Sequence, residues 1–454
     1  MIKNLLHLLI GIIPLIVILI FNPLNLELKV MGIAFLMVYW WISQPIPLYL
    51  TALIPLIAGI PLGLIDDTGL AQAYGNKMVF LFLGGFIIAL GIEKWKLHEF
   101  FAEHIINLFG NTPARLLAGF MLATAILSMW ISNTATALMM LPMALSIIKI
   151  IPRFRLKKRF AIALLLGVAF AANIGGTATL IGTPPNVQMA AILEQNFGIT
   201  ITFTNWLFIG IPFMVVMLIS CFFVLKWAFL RKIRFTVPQI QTKRINTIQK
   251  RVLLIFSLIV VLWITRDYLS KGLNFPINDT MIALLGGFLF FVTPSDGQNA
   301  LLKWEDMKRI PWGILFLFGG GLALATMLSN AGAIELFVNA LSDFSTSSLL
   351  LVLLIVFIIT IFATELMSNL ALVSLLIPLM GEFAIVADLP IVGICAGIAL
   401  SASCAFMLPV ATPPNAIVFS ANIIQVKTMA RVGVVLNLVT VLWVTTIIYI
   451  YNSF

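Results

Sequence analysis

The sequence predicts an all-α polytopic membrane protein with about 11 transmembrane helices and two re-entrant hairpins in an inverted repeat. Three observations predict it. Of 454 residues, 61% are hydrophobic and 10% charged, whereas soluble domains carry about 25% charged residues. Apolar stretches long enough to cross a hydrocarbon core of about 30 Å recur along the whole chain. Runs such as Val252–Ile264 and Leu349–Phe362 are apolar on nearly every face, where a membrane barrel would alternate apolar and polar residues.

The first helix is expected within residues 1–28. Its apolar core, Leu5–Phe21, is long and no small-residue cleavage pattern follows in Asn22–Val30, so it reads as retained rather than as a signal peptide. Further spans are expected near 29–42, 46–63, 77–93, 160–181, 203–225, 252–268, 280–293, 312–328, 390–410 and 430–450. Two stretches, about 114–147 and 347–386, read as hairpins that enter and leave on one side. Residues 29–225 and 252–454 form the two repeats, separated by a basic cytoplasmic loop at 226–251.

The net charge of +10 is concentrated in two clusters, Lys149 to Arg159 and Lys226 to Arg251, both between apolar segments. Cytoplasmic loops facing anionic headgroups carry such charge, so nucleic acid is not an expected partner. With these loops inside, the N-terminus is cytoplasmic and the C-terminus outside, in a multi-pass protein of the cell (inner) membrane. Cys221, Cys395 and Cys404 sit in apolar surroundings without metal or redox spacing and read as packing residues. The histidines His7, His98 and His104 lie near helix ends, and no nucleophile–base pair or metal cluster assembles, so the chain is not expected to be an enzyme. Asp66 and Asp67 read as part of an outer loop.

The repeat shows as three matched pairs at offsets of about 230 residues. LFLGG at 81–85 resembles LFLFGG at 315–320, SNTATALMMLP at 132–142 resembles SNLALVSLLIP at 368–378, and GTPPN at 182–186 resembles ATPPN at 411–415. A Pro-Pro pair cannot continue a helix but suits the first turn of a new one. Thr183-Pro184-Pro185-Asn186 and Thr412-Pro413-Pro414-Asn415 therefore predict helices broken at about 160–195 and 390–425. Unwound backbone at membrane depth is tolerated where it lines a cavity, and two breaks in matching places point to a binding site. Ser132-Asn133-Thr134 and Ser368-Asn369-Leu370 interrupt long apolar stretches with helix-capping residues, so each predicts a reversal with a helix starting after it.

Phe160–Leu225 and Ile310–Val426 contain no Lys, Arg or His. An anion bound there would be held by hydroxyl and amide donors, by helix N-termini and by metal cations, with unwound carbonyls as ligands for a hard cation such as sodium. Glu365, three residues before Ser368, reads equally as a proton or cation carrier and as a carboxylate bonded to backbone N–H groups. Met129 stands at the matching place in the first repeat.

At these motifs the chain resembles the divalent anion/sodium symporter family, over nearly its whole length. That resemblance implies a homodimer in the bilayer that imports a small divalent anion with sodium by an elevator-type movement. A C4-dicarboxylate such as succinate, malate or fumarate is the expected substrate. The alternatives are a sulfate, citrate or other anion carrier and a sodium/proton antiporter of similar construction. By position, the resemblance places the substrate against Ser132, Asn133, Thr134, Thr183, Ser368, Asn369, Thr412 and Pro413. It places sodium at Ser128, Ser132, Asn133 and Gly182 in one half, and at Thr364, Met367, Asn369 and Ala411 in the other. Leu370 departs from the family's second motif, which has threonine there; one hydrogen bond to a charged group is worth about 1.5–3 kcal/mol, enough to change substrate preference.

Overall fold

Caps and prolines set the ends of the helices into which the apolar stretches fold. The structure, a computed structural model, describes residues 2–151, 154–231, 233–236, 244–297, 299–340 and 348–451. Residue 1, residues 152–153 of the first basic cluster, 232 and 237–243 of the second, residue 347 of the second expected hairpin and residues 452–454 lie outside the described residues.

α1 (Ile2–Phe21) packs against α2 (Leu26–Ser43) and is exposed along most of its length, as suits a lipid-facing helix. The Asn25 side chain caps α2, accepting from the Leu28 N–H at 2.8 Å. The span expected over 46–63 is not one helix. Pro47, Pro55 and Pro61 interrupt it, and the chain forms two short pieces, α3 (Leu48–Thr51) and α4 (Ile54–Ala58). Asp66 and Asp67, expected in a loop, begin α5 (Asp67–Tyr74), with Asp66 accepting from the Gly69 N–H at 2.7 Å. α6 (Lys77–Lys94) turns sharply into α7 (Leu97–Phe109), an amphipathic helix that span counting did not separate. α8 (Pro113–Ser128) and α9 (Asn133–Ile150) form the first hairpin. α10 (Phe154–Gly176) and α11 (Pro184–Phe197) are the halves of a helix broken over 177–183, and α12 (Phe203–Leu225) ends in a π-helical turn at Lys226–Leu230.

α13 (Thr247–Gly272) opens on a capping box between Asn246 and Gln249. α14 (Asp279–Val292) leads into a small antiparallel pair, β1 (Pro294–Asp296) and β2 (Asn299–Ala300), and a 3-10 turn at Trp304–Arg309. α15 (Trp312–Asn330), α16 (Ala333–Ala340), the hairpin α17 (Leu349–Ala363) with α18 (Asn369–Val386), and the broken pair α19 (Ile391–Ala402) with α20 (Pro413–Phe419) then follow. α21 (Val426–Tyr451) ends the described chain. Long helix, short amphipathic helix, hairpin, broken helix, long helix: this order of elements occurs twice.

Nine described helices are long and apolar enough to cross a membrane; α5 and α6 count as one, and α18 belongs to a hairpin. The other eight, with α3–α4, α14 and the broken α19–α20, make up the segments expected. α10 is enclosed along nearly its whole length, between α8 and α9 of its own half and α20 of the other. In the same way α11 packs against α18 and α19. Each hairpin is therefore seated on both broken helices. α6 meets α14 backbone to backbone at Gly84, where a Cβ would stand 2.6 Å from the Ala283 carbonyl carbon, so only glycine allows that approach.

Candidate functional site

The two hairpins reverse at the expected tripeptides. Ser132 and Ser368 are the N-caps of α9 and α18, and Ser132 Oγ accepts from the Ala135 N–H at 3.2 Å; Ser368 makes no side-chain cap bond. Behind each tip stands a buried hydroxyl. Ser128 Oγ lies 2.7 Å from both Asn133 Oδ1 and the Ala172 carbonyl, and Thr364 Oγ1 lies 2.8 Å from Asn369 Oδ1 and 2.7 Å from the Ala402 carbonyl. The hydroxyl thus ties the tip asparagine to the last turn of the broken helix beside it. Both halves repeat this arrangement atom for atom.

The broken segments are held open by the asparagines that end the Pro-Pro motifs. Asn186 Nδ2 donates to the Thr179 carbonyl at 2.9 Å and reaches those of Gly176 and Thr177 at 3.4 Å, while Asn415 Nδ2 donates to the carbonyls of Ala405 at 3.0 Å and Leu408 at 3.1 Å. These bonds satisfy carbonyls that lost their helical partners at the break. Gly176 permits a close approach to the first tip: a Cβ there would meet Asn133 Oδ1 at 2.3 Å.

Tips and breaks face one another across a cavity of about 720 Å³. Ser132, Asn133, Thr134, Thr183, Ser368, Asn369, Thr412 and Pro413 all line it, as do Gly182, Met367 and Ala411. Ser128 and Thr364 do not; they lie fully buried behind the tips. Leu370 presents an apolar side chain where Thr134 presents a hydroxyl. The rest of the wall comes from the end of α2 at Ile42–Gln44, from α6 between Phe82 and Ala89, and from Ile314 and Leu317 in the first turns of α15. That places the cavity toward the end of the molecule carrying the Lys94–Asp306 ion pair, 2.6 Å, and the Arg309–Glu93 pair. Among the described residues, no Lys, Arg or His lines it, and Glu365 is the one charged residue that does.

Sequence reasoning missed several residues that shape this site. Asn173, in the last turn of α10, donates to Thr412 Oγ1 at 3.0 Å and so ties the first broken helix to the second. Asn437 on α21 donates to Glu365 Oε1 at 2.9 Å. Both were detectable as polar residues within apolar helices. Trp130, at the first tip, packs near-perpendicular to Phe256 with ring centroids 5.0 Å apart and lies beside the stacked pair Phe203–Trp263, 4.5 Å; nothing in its sequence context marks it. Among the described residues, no group of three or more His, Cys, Asp or Glu side chains could hold a metal ion, so oxygen from hydroxyls, amides and carbonyls is the donor set of the cavity.

A family profile described as a citrate transporter, CitMHS, matches residues 38–389. The sodium-dependent dicarboxylate transporter SdcS of Staphylococcus saprophyticus is 37% identical over 461 residues, covering 95% of this chain and 88% of the relative. The protein of the same name from Staphylococcus aureus strain USA300 is 35% identical over 465 residues, covering 96% and 88%. The crystal structure of the Alcanivorax borkumensis YdaH transporter aligns with a TM-score of 0.59 at 13% identity, over 94% of this chain and 98% of that one, which is a likeness of fold.

Proposed function

Because the chain belongs to the divalent anion/sodium symporter family, we propose that it imports a small dicarboxylate, such as succinate, malate or fumarate, together with sodium. The observation that carries this reading is the pair of Ser-Asn tips facing two broken helices across one cavity that no basic side chain lines among the described residues. An anion in such a place needs neutral donors and a companion cation. Ser132, Asn133, Thr134 and Thr183 would meet one carboxylate, and Ser368, Asn369, Thr412 and Pro413 the other. The N-termini of α9, α11 and α18 add helix-dipole stabilisation of about 0.3–1 kcal/mol each when exposed and up to about 2 when partly buried.

Sodium would sit behind the anion. Its ligands would be Ser128, Ser132, Asn133 and the Gly182 carbonyl in the first half, and Thr364, Met367, Asn369 and Ala411, partly through carbonyls, in the second. The hydroxyls of Ser128 and Thr364 already hold the tip asparagines, so a cation there and an anion in front share the same two amides. That sharing is the physical basis for coupling.

We place the basic segments, the N-terminus and the 3-10 turn at Trp304–Arg309 on the cytoplasmic side of the cell membrane, and the C-terminus outside. The repeats at 29–225 and 252–454 are then inverted and the cavity reaches inward. The amphipathic helices α7 and α16, each between a long helix and a hairpin, suit arms that carry a moving unit past a fixed one in an elevator-type cycle. A homodimer is the assembly this cycle uses in the family.

A second reading, a citrate or sulfate carrier, is favoured by Leu370 and by the description of the matching family profile. A sodium/proton antiporter would need a carboxylate free to take up protons, whereas Glu365 is engaged by four donors. The chain reads as a transporter rather than an enzyme because the matching family profile and the similar proteins are transporters.

The test is uptake of radiolabelled succinate by purified protein in proteoliposomes, under an inward gradient of sodium and the same gradient of potassium or choline. Sodium-dependent accumulation that unlabelled malate or fumarate competes away is the expected result. Uptake indifferent to sodium would sink the reading; sodium-driven uptake of citrate or sulfate alone would move it to the second substrate class.

A further inference from the structure

Glu365 is only 3% exposed, and all its partners lie in the second repeat. Its Oε1 accepts from the N–H groups of Phe406 and Met407, both at 2.8 Å, and from Asn437 Nδ2; its Oε2 accepts from the Leu408 N–H at 3.0 Å. Every partner is a donor, so both oxygens act as acceptors, the role of an ionised carboxylate. Three successive N–H groups turned toward one anion form a nest, made here from amides freed where α19 stops. A buried negative charge with no basic partner is costly unless hydrogen bonds and a nearby cation offset it.

The first half is built without this element. Met129 occupies the matching place, three residues before Ser132, and contributes only its carbonyl, which accepts from the Thr179 hydroxyl. Other bonds do correspond, those of Ser128 with those of Thr364 and those of Asn186 with those of Asn415. Beside the Leu370 and cap differences already described, the halves thus differ by a fixed charge and its grip on the unwound backbone. That grip extends to Ala411, whose N–H donates to the Leu408 carbonyl at 3.2 Å.

Resting on the sodium-coupled reading above, we propose that Glu365 is a positioning residue that makes the two sodium half-sites unequal. It touches neither ion. It fixes residues 406–408, and through them the Ala411 segment, and it places negative charge beside the second half alone. The second half receives sodium in a frame already built, whereas the first is completed by its ligands.

The experiment measures succinate uptake against sodium concentration in proteoliposomes for the wild type, Glu365→Gln, Glu365→Asp, Ser128→Ala and Thr364→Ala. Glu365→Gln should raise the sodium concentration for half-maximal uptake by about tenfold or more, since a hydrogen bond to a charged group contributes that much. Its succinate KM at saturating sodium should move less than about threefold, and Glu365→Asp should recover most of the sodium affinity. A carboxylate needed only for folding would change the yield of protein and not this split. Ser128→Ala should raise the sodium requirement more than Thr364→Ala, because the second half keeps Glu365. Wild-type sodium dependence in Glu365→Gln overturns the proposal; equal shifts from the two hydroxyl variants overturn it as well, and they decide the matter if Glu365→Gln does not fold. Failure of the coupled reading itself shows separately, in wild-type protein that transports without sodium.

Discussion

Replacing Gly176 with alanine puts one methyl group against the most important amide of the first tip. The added Cβ would stand 2.3 Å from Asn133 Oδ1, 2.9 Å from Nδ2 and 3.0 Å from the side-chain carbon. Ordinary contact needs about 3.5 Å, so the amide must retreat by about 1 Å, far enough to break its 2.7 Å bond with Ser128 Oγ. If Asn133 holds both sodium and a carboxylate, losing its placement should cost about 1.5–3 kcal/mol, or roughly 10- to 150-fold in the sodium and succinate concentrations needed for half-maximal uptake. Folding should not suffer to match, because Gly176 has helical backbone at the end of α10 and no positive φ reserves the position for glycine. Gly272→Ala, where a Cβ meets nothing within 4 Å, serves as the control. Sodium and succinate titrations of uptake, read beside thermal stability in detergent, separate the two effects. In a double-mutant cycle, Gly176→Ala should add almost nothing to Asn133→Ala, since both act through one side chain. Wild-type kinetics in Gly176→Ala, or full additivity with Asn133→Ala, would refute the reasoning.

Asn133→Ala and Asn369→Ala should each abolish sodium-driven uptake, since each removes an amide shared by cation and anion; unimpaired uptake by either counts against the site. Asn173→Leu removes the tie to Thr412 Oγ1 and should raise the succinate KM with the sodium requirement little changed, a split seen in paired titrations. Leu370→Thr restores a hydroxyl to the second tip and should shift the preference between succinate and its hydroxylated relative malate by about tenfold or more, measured by competition. Lys94→Ala breaks a partly exposed ion pair with Asp306 and should cost no more than about 1 kcal/mol of stability, with transport unchanged.

Much of this architecture was legible in the sequence because proline and short polar residues act locally. The Pro-Pro pairs ended two helices and began two others, and Ser132 and Ser368 reversed the chain where they interrupted apolar runs. What was not legible depended on direction or on distance. Hydrophobicity marked 46–63 as a span, but the placing of Pro47, Pro55 and Pro61 decided that it would be two short helices. The amphipathic α7 and α16 are too short and too polar on one side to register as spans. Asn173 and Asn437 were visible as polar residues among apolar ones, yet their partners, Thr412 and Glu365, lie far away along the chain. For Glu365 the residue alone allowed a carrier or an anchor; the three amides of 406–408 favour the anchor, and only the fold brings them to it.

Trp130 gives the first tip an optical property. Its indole lies on the cavity wall, beside Trp263 with ring centroids 6.4 Å apart and edge-on to Phe256. Any displacement of that tip changes both the polarity around the ring and its overlap with a neighbouring indole. Emission from the protein should therefore report occupancy without an attached dye, and a sodium titration read in this way needs no transported isotope and no sealed vesicle. Trp206 and Trp263 use their ring N–H groups to bond the carbonyls of Thr177 and Asp279, so the background is better lowered at the exposed Trp227 and Trp304.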